Sequence, residues 1–153
     1  MVPVEYEVVN ATKRWLLEIA FSRFRASNAT VLQEPYRKFC VSVDWLADFA
    51  LFAALKDRFS QRPWWEWDRA LALREPTALE KAKQELASEI EFHQFTQFLF
   101  FRQWEAVRQH ALSRGVRLLG DLPISLMGTA APHYSHEPHR IRTISLPEPN
   151  PLR

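Results

Sequence analysis

Residues 114–124 read Arg-Gly-Val-Arg-Leu-Leu-Gly-Asp-Leu-Pro-Ile, and this stretch decides the fold class. Gly115 can adopt the left-handed conformation that ends a helix. The apolar residues 116–119 after it predict a short strand. The Gly-Asp-x-Pro sequence that follows places Asp121 at the carboxyl end of that strand. A helix, a glycine, a strand and an acid in this order are one α-to-β step of an α/β protein.

The segment before Gly115 predicts one long helix. Thr77 and Glu80 match the T-x-x-E capping box, which predicts that the helix begins there. Apolar and aromatic residues then recur along one face as far as Ala111. We therefore expect a single helix from about residue 77 to the glycine.

The first 60 residues predict three more helices. Asn10 or Thr12 can cap the first helix, and Asp44 can cap the third. Pro35 suits the first position of the second helix, since its missing N–H would have no intrahelical partner there. The third helix is too apolar all round for a surface position, so we expect it to be buried on more than one side.

A tryptophan-rich segment, residues 58–68, interrupts this helical pattern and predicts a loop or a short turn. In total the sequence predicts a mostly helical chain of about four helices and one strand. One strand cannot satisfy its own backbone donors and acceptors. The sequence is therefore expected to be part of a larger α/β structure.

The composition changes after Ile124. Residues 1–124 form the expected folded unit, whereas residues 125–153 hold half of the ten prolines and show no helical or strand period, which predicts an irregular tail. His133, His136 and His139 lie in this tail. Pro132 and Pro138 prevent a regular helix through them, and no acid or cysteine ligand completes a recognised pattern, so we expect no metal site.

The overall composition excludes several classes of protein. The chain has 153 residues and is 47% hydrophobic, which excludes disorder along its whole length. A single cysteine, Cys40, cannot form an internal disulfide and fits a reducing compartment. A net charge of +2 gives no basis for nucleic-acid binding. No signal peptide or membrane span is apparent, so we expect a cytoplasmic protein without a membrane partner.

Several long motifs resemble the 4-α-glucanotransferases, also called amylomaltases or disproportionating enzymes, of glycoside hydrolase family 77. Residues 45–59 read WLADFALFAALKDRF, and residues 63–67 read PWWEW. Residues 89–104 read EIEFHQFTQFLFFRQW, and RGVRLLGDLPI follows at residues 114–124. Order and spacing also agree, and the stretch from Val4 to Leu17 is similar to the family's sequence ahead of this block. The resemblance covers about residues 4–124.

The resemblance implies a (β/α)8 barrel with helical insertions, of which this chain is an internal fragment. It implies transfer of α-1,4-glucan segments between maltooligosaccharides, by a retaining mechanism that needs two carboxylates and no metal or organic cofactor. The family's nucleophile and acid/base lie downstream of the Gly-Asp-x-Pro motif, so no catalytic residue is expected here. After Ile124 the sequence departs from the family pattern, which suggests a frameshift or a truncated gene.

One substrate-binding residue carries over from the family: Asp121, which matches the motif aspartate that lines the donor-side sugar pocket. Its alternative role is to cap the amides of the next loop. Trp64, Trp65 and Trp67 could stack on sugar rings, but we expect packing, with two of the three rings turned inward. Polar residues of the aromatic helix, His93 and Gln94 among them, are expected to be hydrogen-bonded at a packed interface.

The first functional hypothesis is that the chain is an inactive portion of a transferase, and two others remain. The chain could be a non-catalytic helical module that binds glucan or another protein, or a remnant that folds poorly. In either case exposed aromatic surface is expected where the missing strands would dock, and such surface favours self-association.

Overall fold

A computed structural model describes residues 4–27 and 30–119, and these residues are mostly helical, as predicted. They form six α-helices and one 3-10 helix: α1 Tyr6–Ala26, α2 Thr30–Ser42, α3 Leu46–Arg58, the 3-10 helix Trp64–Glu66, α4 Arg69–Ala72, α5 Pro76–Glu85 and α6 Ala87–Ser113. The expected number of about four helices was too low. Asp121 and the proline-rich residues 125–153 lie outside the described residues.

The strand predicted at residues 116–119 is absent from the part of the chain that the structure describes. α6 ends as expected, because Gly115 has φ +71°. The N–H of Val116 donates to the carbonyl of Ala111, and the N–H of Gly115 donates to that of Leu112, which is the Schellman arrangement. Beyond it the backbone finds no neighbouring strand among the described residues, and a strand without a partner is not stable. Leu119 is 99% exposed.

The starts of the first two helices differ from the predictions. α1 begins at Tyr6 with Glu5 as its N-cap, five residues before Asn10 and seven before Thr12. The Thr12 hydroxyl instead donates to the carbonyl of Val8, 2.8 Å away inside the helix. α2 begins at Thr30, so Pro35 lies inside it rather than at its first position. One backbone hydrogen bond is lost there, and the packing of the following aromatic residues offsets that loss.

The single long helix predicted from residue 77 is two helices, α5 and α6. Pro76 occupies the first position of α5 and Glu75 is its N-cap, without a side-chain capping bond. The capping-box prediction was therefore wrong, since Thr77 is already helical. The Glu80 carboxylate instead pairs with Lys83 at 2.6 Å. The break between the two helices is at Leu86, whose side chain is buried.

Helix α3 is buried on more than one side, as predicted. Its buried residues are Leu46, Ala50, Leu51, Ala54, Leu55 and Lys56. Its N-cap is Trp45 rather than Asp44, although the Asp44 carboxylate accepts a hydrogen bond from the backbone N–H of Trp45 at 2.9 Å. α3 packs along α6, which also contacts α1, α2 and α5.

Two hydrophobic clusters lie along α6. The first joins α1, α2 and α6 and consists of Phe21, Phe24, Tyr36, Phe92, Phe95 and Phe98. The second joins α3, α5 and the tryptophan segment and consists of Leu51, Ala54, Leu55, Trp67, Ala82 and Leu86. The first cluster buries the amino-terminal half of α6, and Ile90 of α6 packs against the second. In the carboxyl-terminal half, Phe101 contacts Phe39 and Trp45, whereas Trp104 and Val107 are exposed within the described residues. Within those residues, no helix has both the length and the apolarity to cross a membrane.

Candidate functional site

The tryptophan segment after α3 turns two of its three indole rings inward, as expected. Trp67 is buried, and its ring stacks on Phe59 with centroids 5.3 Å apart and an interplanar angle of 12°. Trp64 is half-buried against the same cluster. Trp65 is 54% exposed and contacts the edge of Trp64. Packing therefore accounts for Trp64 and Trp67, and Trp65 alone offers an open aromatic face.

A buried lysine holds the backbone that precedes these tryptophans. The Lys56 ammonium donates to the carbonyl of Gln61 at 2.7 Å and to that of Arg62 at 3.1 Å. The same Arg62 carbonyl accepts the indole N–H of Trp67 at 3.2 Å. The chain reaches this position through Ser60 and Gln61, both of which have positive φ. Sequence reasoning missed Lys56, because a lysine near the end of an apolar helix gives no local signal of burial.

Asp57 joins three helices through one carboxylate. Its Oδ2 accepts from Arg14 of α1 at 2.7 Å and lies 3.2 Å from Nε2 of His93 on α6. Its Oδ1 accepts from Gln61 at 2.7 Å. The hydrogen bond to Asp57 raises the pKa of the Arg14 guanidinium, so this cation stays charged at any working pH.

Burial lowers the pKa of His93, and the nearby Asp57 carboxylate opposes that effect. His93 is therefore neutral at pH 7. An ionised carboxylate can only accept hydrogen bonds. Nε2 of the neutral ring therefore carries the hydrogen and donates a hydrogen bond to Asp57. The cluster of Arg14, Asp57 and His93 fixes the relative positions of α1, α3 and α6. Both oxygens of Asp57 are engaged by groups within the described residues, so the geometry of the cluster supports a structural role.

We predict that the stability of the fold depends on pH through His93. Its folded-state pKa lies below the usual value of about 6.5, so the unfolded chain binds a proton more readily. Stability is then fully present above about pH 6.5 and is lost as the pH falls toward the folded-state pKa. Urea unfolding between pH 5 and 8 measures this effect.

The control for this prediction compares two histidine variants. His93→Gln should flatten the pH dependence of stability between pH 5 and 7, whereas His110→Gln, near the exposed end of α6, should retain the wild-type dependence. Equal slopes for wild type and His93→Gln would show that His93 does not titrate differently in the two states.

Gln94, another polar residue of α6, also has a hydrogen-bond partner, as expected. The Tyr36 hydroxyl donates to Oε1 of Gln94 at 3.3 Å, and burial raises the pKa of Tyr36 above its usual range. The Arg102 guanidinium lies 6.0 Å from the centroid of the Phe98 ring. No group of three His, Cys, Asp or Glu residues within the described ranges could hold a metal ion.

Comparison with known proteins explains these motifs. The sequence model of the family described as 4-alpha-glucanotransferase, glycoside hydrolase family 77, matches residues 2–139. The chain belongs to this family. The match includes Asp121 and runs into the proline-rich segment, whereas the motifs quoted above end at Ile124.

Individual glucanotransferases agree with the family match. The chain is 41% identical over 122 residues to a 4-alpha-glucanotransferase from Synechocystis sp., covering 79% of this chain and 24% of the relative. It is 40% identical over 134 residues to one from Thermus thermophilus, covering 87% of this chain and 27% of the relative. The chain thus spans about a quarter of the length of these relatives.

A solved glucanotransferase structure shares the fold of the described helices. The amylomaltase from Streptococcus agalactiae, determined in complex with acarbose, matches 79% of this chain and 24% of its own chain, with a TM-score of 0.72 and 32% identity. The mostly helical arrangement of this chain therefore corresponds to a region of an amylomaltase.

Proposed function

We propose that this chain serves the transfer of α-1,4-glucan segments between maltooligosaccharides, as a helical portion of a (β/α)8 barrel. The observation that carries the proposal is the family match in register over residues 2–139, together with the amylomaltase of similar fold. That amylomaltase was determined with acarbose bound, which supports an α-glucan as the ligand.

The retaining mechanism uses one carboxylate as nucleophile and a second as acid and base. In the described residues, the Asp57 carboxylate lies between three helices, and its oxygens are already occupied by Arg14, His93 and Gln61. We therefore assign no catalytic residue to this chain, and we propose that alone it has no transferase activity. Asp121 is the proposed sugar-binding residue, on the strength of its place in the family motif.

We predict that the purified chain produces no glucose and no longer oligosaccharides from maltotriose. The physical reason is that a covalent glycosyl intermediate cannot form without a free nucleophile and a general acid. Chromatography of the products after long incubation checks this result. The relative from Thermus thermophilus is the positive control, and formation of glucose plus longer oligosaccharides by this chain would overturn the proposal.

The second candidate function is a non-catalytic module that binds glucan or another protein. The observation in its favour is exposed aromatic surface, including Trp65 and Trp104 at 54% and 44% exposure. Calorimetric titration with maltoheptaose tests this candidate, since the absence of binding heat would exclude a glucan-binding module. Asp121→Asn is the informative variant in that titration, and Asp44→Asn, at an exposed carboxylate before α3, is its matched control.

The exposed apolar surface also supports self-association, which we propose as a property of the isolated chain. Large apolar side chains are exposed on α1 and on the end of α6, among them Trp15, Leu16, Trp104 and Val107. Exposed apolar surface of this kind favours association. A cytoplasmic location is likewise proposed, and the single half-buried Cys40 supports it.

A further inference from the structure

Helices α3 and α6 end with the same backbone arrangement but with different residues in the left-handed position. At the end of α6 that residue is Gly115, with φ +71°. At the end of α3, the N–H of Ser60 donates to the carbonyl of Asp57 at 3.1 Å. The N–H of Gln61 donates to the carbonyl of Lys56 at 2.7 Å, which completes the Schellman arrangement. Ser60 therefore occupies the position that glycine usually takes.

Two successive residues of this turn are left-handed. Ser60 has φ 51° and Gln61 has φ 63°. Residues with a side chain rarely adopt this conformation, because the side chain crowds the backbone there. They keep it only where the surrounding structure imposes it. The turn therefore needs interactions that hold it.

The buried ammonium of Lys56 supplies such interactions. Lys56 lies in the last turn of α3 and is 8% exposed. Its ammonium donates to the carbonyl oxygens of Gln61 and Arg62. Within residues 4–27 and 30–119, no carboxylate forms an ion pair with it. A buried charge needs hydrogen-bond partners, and the carboxyl end of a helix favours a cation. The turn that brings these two carbonyls to the ammonium is therefore stabilised.

The same turn places the indole of Trp67. The Arg62 carbonyl accepts from the Lys56 ammonium and also from the indole N–H of Trp67, 3.2 Å away. The Gln61 side chain donates to Oδ1 of Asp57 at 2.7 Å, which fixes the turn through a further contact. Trp67 is buried in the second cluster. The conformation of the turn therefore decides whether the indole reaches that cluster.

We propose that Lys56 is a positioning residue for the tryptophan segment. Its ammonium imposes the left-handed turn at Ser60 and Gln61 and so directs Trp67 into the second cluster. The alternative is that Lys56 only fills space with its alkyl chain. The two roles differ in what the charge does, since an uncharged side chain of similar length would fill the same space and leave the carbonyls unbound. The inference goes beyond the proposed function and uses no step of the transfer chemistry.

The test removes the ammonium and keeps the apolar stem, with Lys56→Met. Nuclear magnetic resonance follows the indole N–H of Trp67. We expect its resonance to move and its exchange with solvent to become roughly tenfold faster or more, because the turn no longer presents the acceptor. The indole resonance of Trp45, at the start of α3, should stay in place. Lys81→Met, at an exposed side chain of α5, is the matched control and should change neither signal.

Glycine in the left-handed position supplies the second variant. Because glycine adopts this conformation without a clash, Ser60→Gly added to Lys56→Met should return the resonance and the exchange rate of the Trp67 indole toward their wild-type values. Arg74, which has φ 56° after α4, provides the control for this rescue. Arg74→Gly added to Lys56→Met should restore neither.

An unchanged Trp67 resonance in Lys56→Met overturns the proposal, as does a rescue by Ser60→Gly that is no greater than the rescue by Arg74→Gly. If Lys56→Met does not fold, the double variant with Ser60→Gly decides. A folded double variant supports the positioning role, and an unfolded one overturns it. Ser60→Gly alone should unfold at a urea concentration at least as high as that of the wild type. A lower value would show that the turn is not strained and would overturn the proposal.

Discussion

Replacing Phe95 by alanine is expected to lower the free energy of unfolding by about 3–5 kcal/mol. Phe95 is 2% exposed at the centre of the first cluster. Its ring centroid lies 5.5 Å from that of Phe21 and 4.7 Å from that of Phe24. Alanine would remove both ring contacts and leave a cavity between α1 and α6. Urea unfolding followed by circular dichroism measures the loss.

Phe100 provides the matched control for this substitution. It lies five residues further along α6 and is 54% exposed, so Phe100→Ala should change stability by no more than about 0.5 kcal/mol. A small effect of Phe95→Ala, similar to that of Phe100→Ala, would contradict the packing of α1 on α6.

Replacing Trp67 by alanine is expected to cost a comparable amount, about 3–5 kcal/mol. The indole stacks on Phe59, tilts against Phe52 at a centroid distance of 5.5 Å, and donates its N–H to the carbonyl of Arg62. Its removal would expose the second cluster and release the segment that the Lys56 ammonium holds. Thermal unfolding gives the change in stability.

Comparing Trp67→Ala with Trp65→Ala separates packing from sugar binding. Trp65→Ala removes the exposed ring of the segment and should leave the free energy of unfolding within about 0.5 kcal/mol of the wild-type value. If Trp67→Ala remained as stable as wild type but lost affinity for maltoheptaose, the buried position of Trp67 would be wrong. Full stability of both variants would contradict the second cluster.

Predictions from short sequence patterns were most accurate where the conformation of a single residue decides the structure. Gly115 ended α6 as predicted, since a left-handed residue is needed there and glycine adopts it without a clash. The apolar character of α3 predicted burial on several sides, because such a helix has no polar face to expose. Motif similarity placed the chain in its family for a different reason, since several long segments agree in register.

Local rules failed where neighbouring signals competed. Thr77 and Glu80 match the sequence of a capping box, but α5 begins at Pro76 with Glu75 as its N-cap, so Thr77 is already helical. Pro35 is a good first residue of a helix, yet the helix begins five residues earlier, at Thr30. Tyr36 and Phe39, which follow the proline, pack in the first cluster with Pro35 inside the helix. In each case a helix start has more than one possible position, and packing selects among them.

In the candidate site, too, one feature could be predicted from the sequence and another could not. Two inward tryptophans could be predicted from spacing and ring chemistry. The cluster of Arg14, Asp57 and His93 could not, since 43 residues separate Arg14 from Asp57 and 36 separate Asp57 from His93. No periodicity links residues at such separations.

The amino-acid sequence by itself determined the family, the mostly helical character and the glycine that ends α6, because these depend on near neighbours and on long matched segments. Tertiary structure decided that residues 116–119 form no strand among the described residues and that one carboxylate joins three helices. The reason is that a strand needs a neighbouring backbone to receive its hydrogen bonds. An ion pair, similarly, needs two helices already held in place by their buried rings.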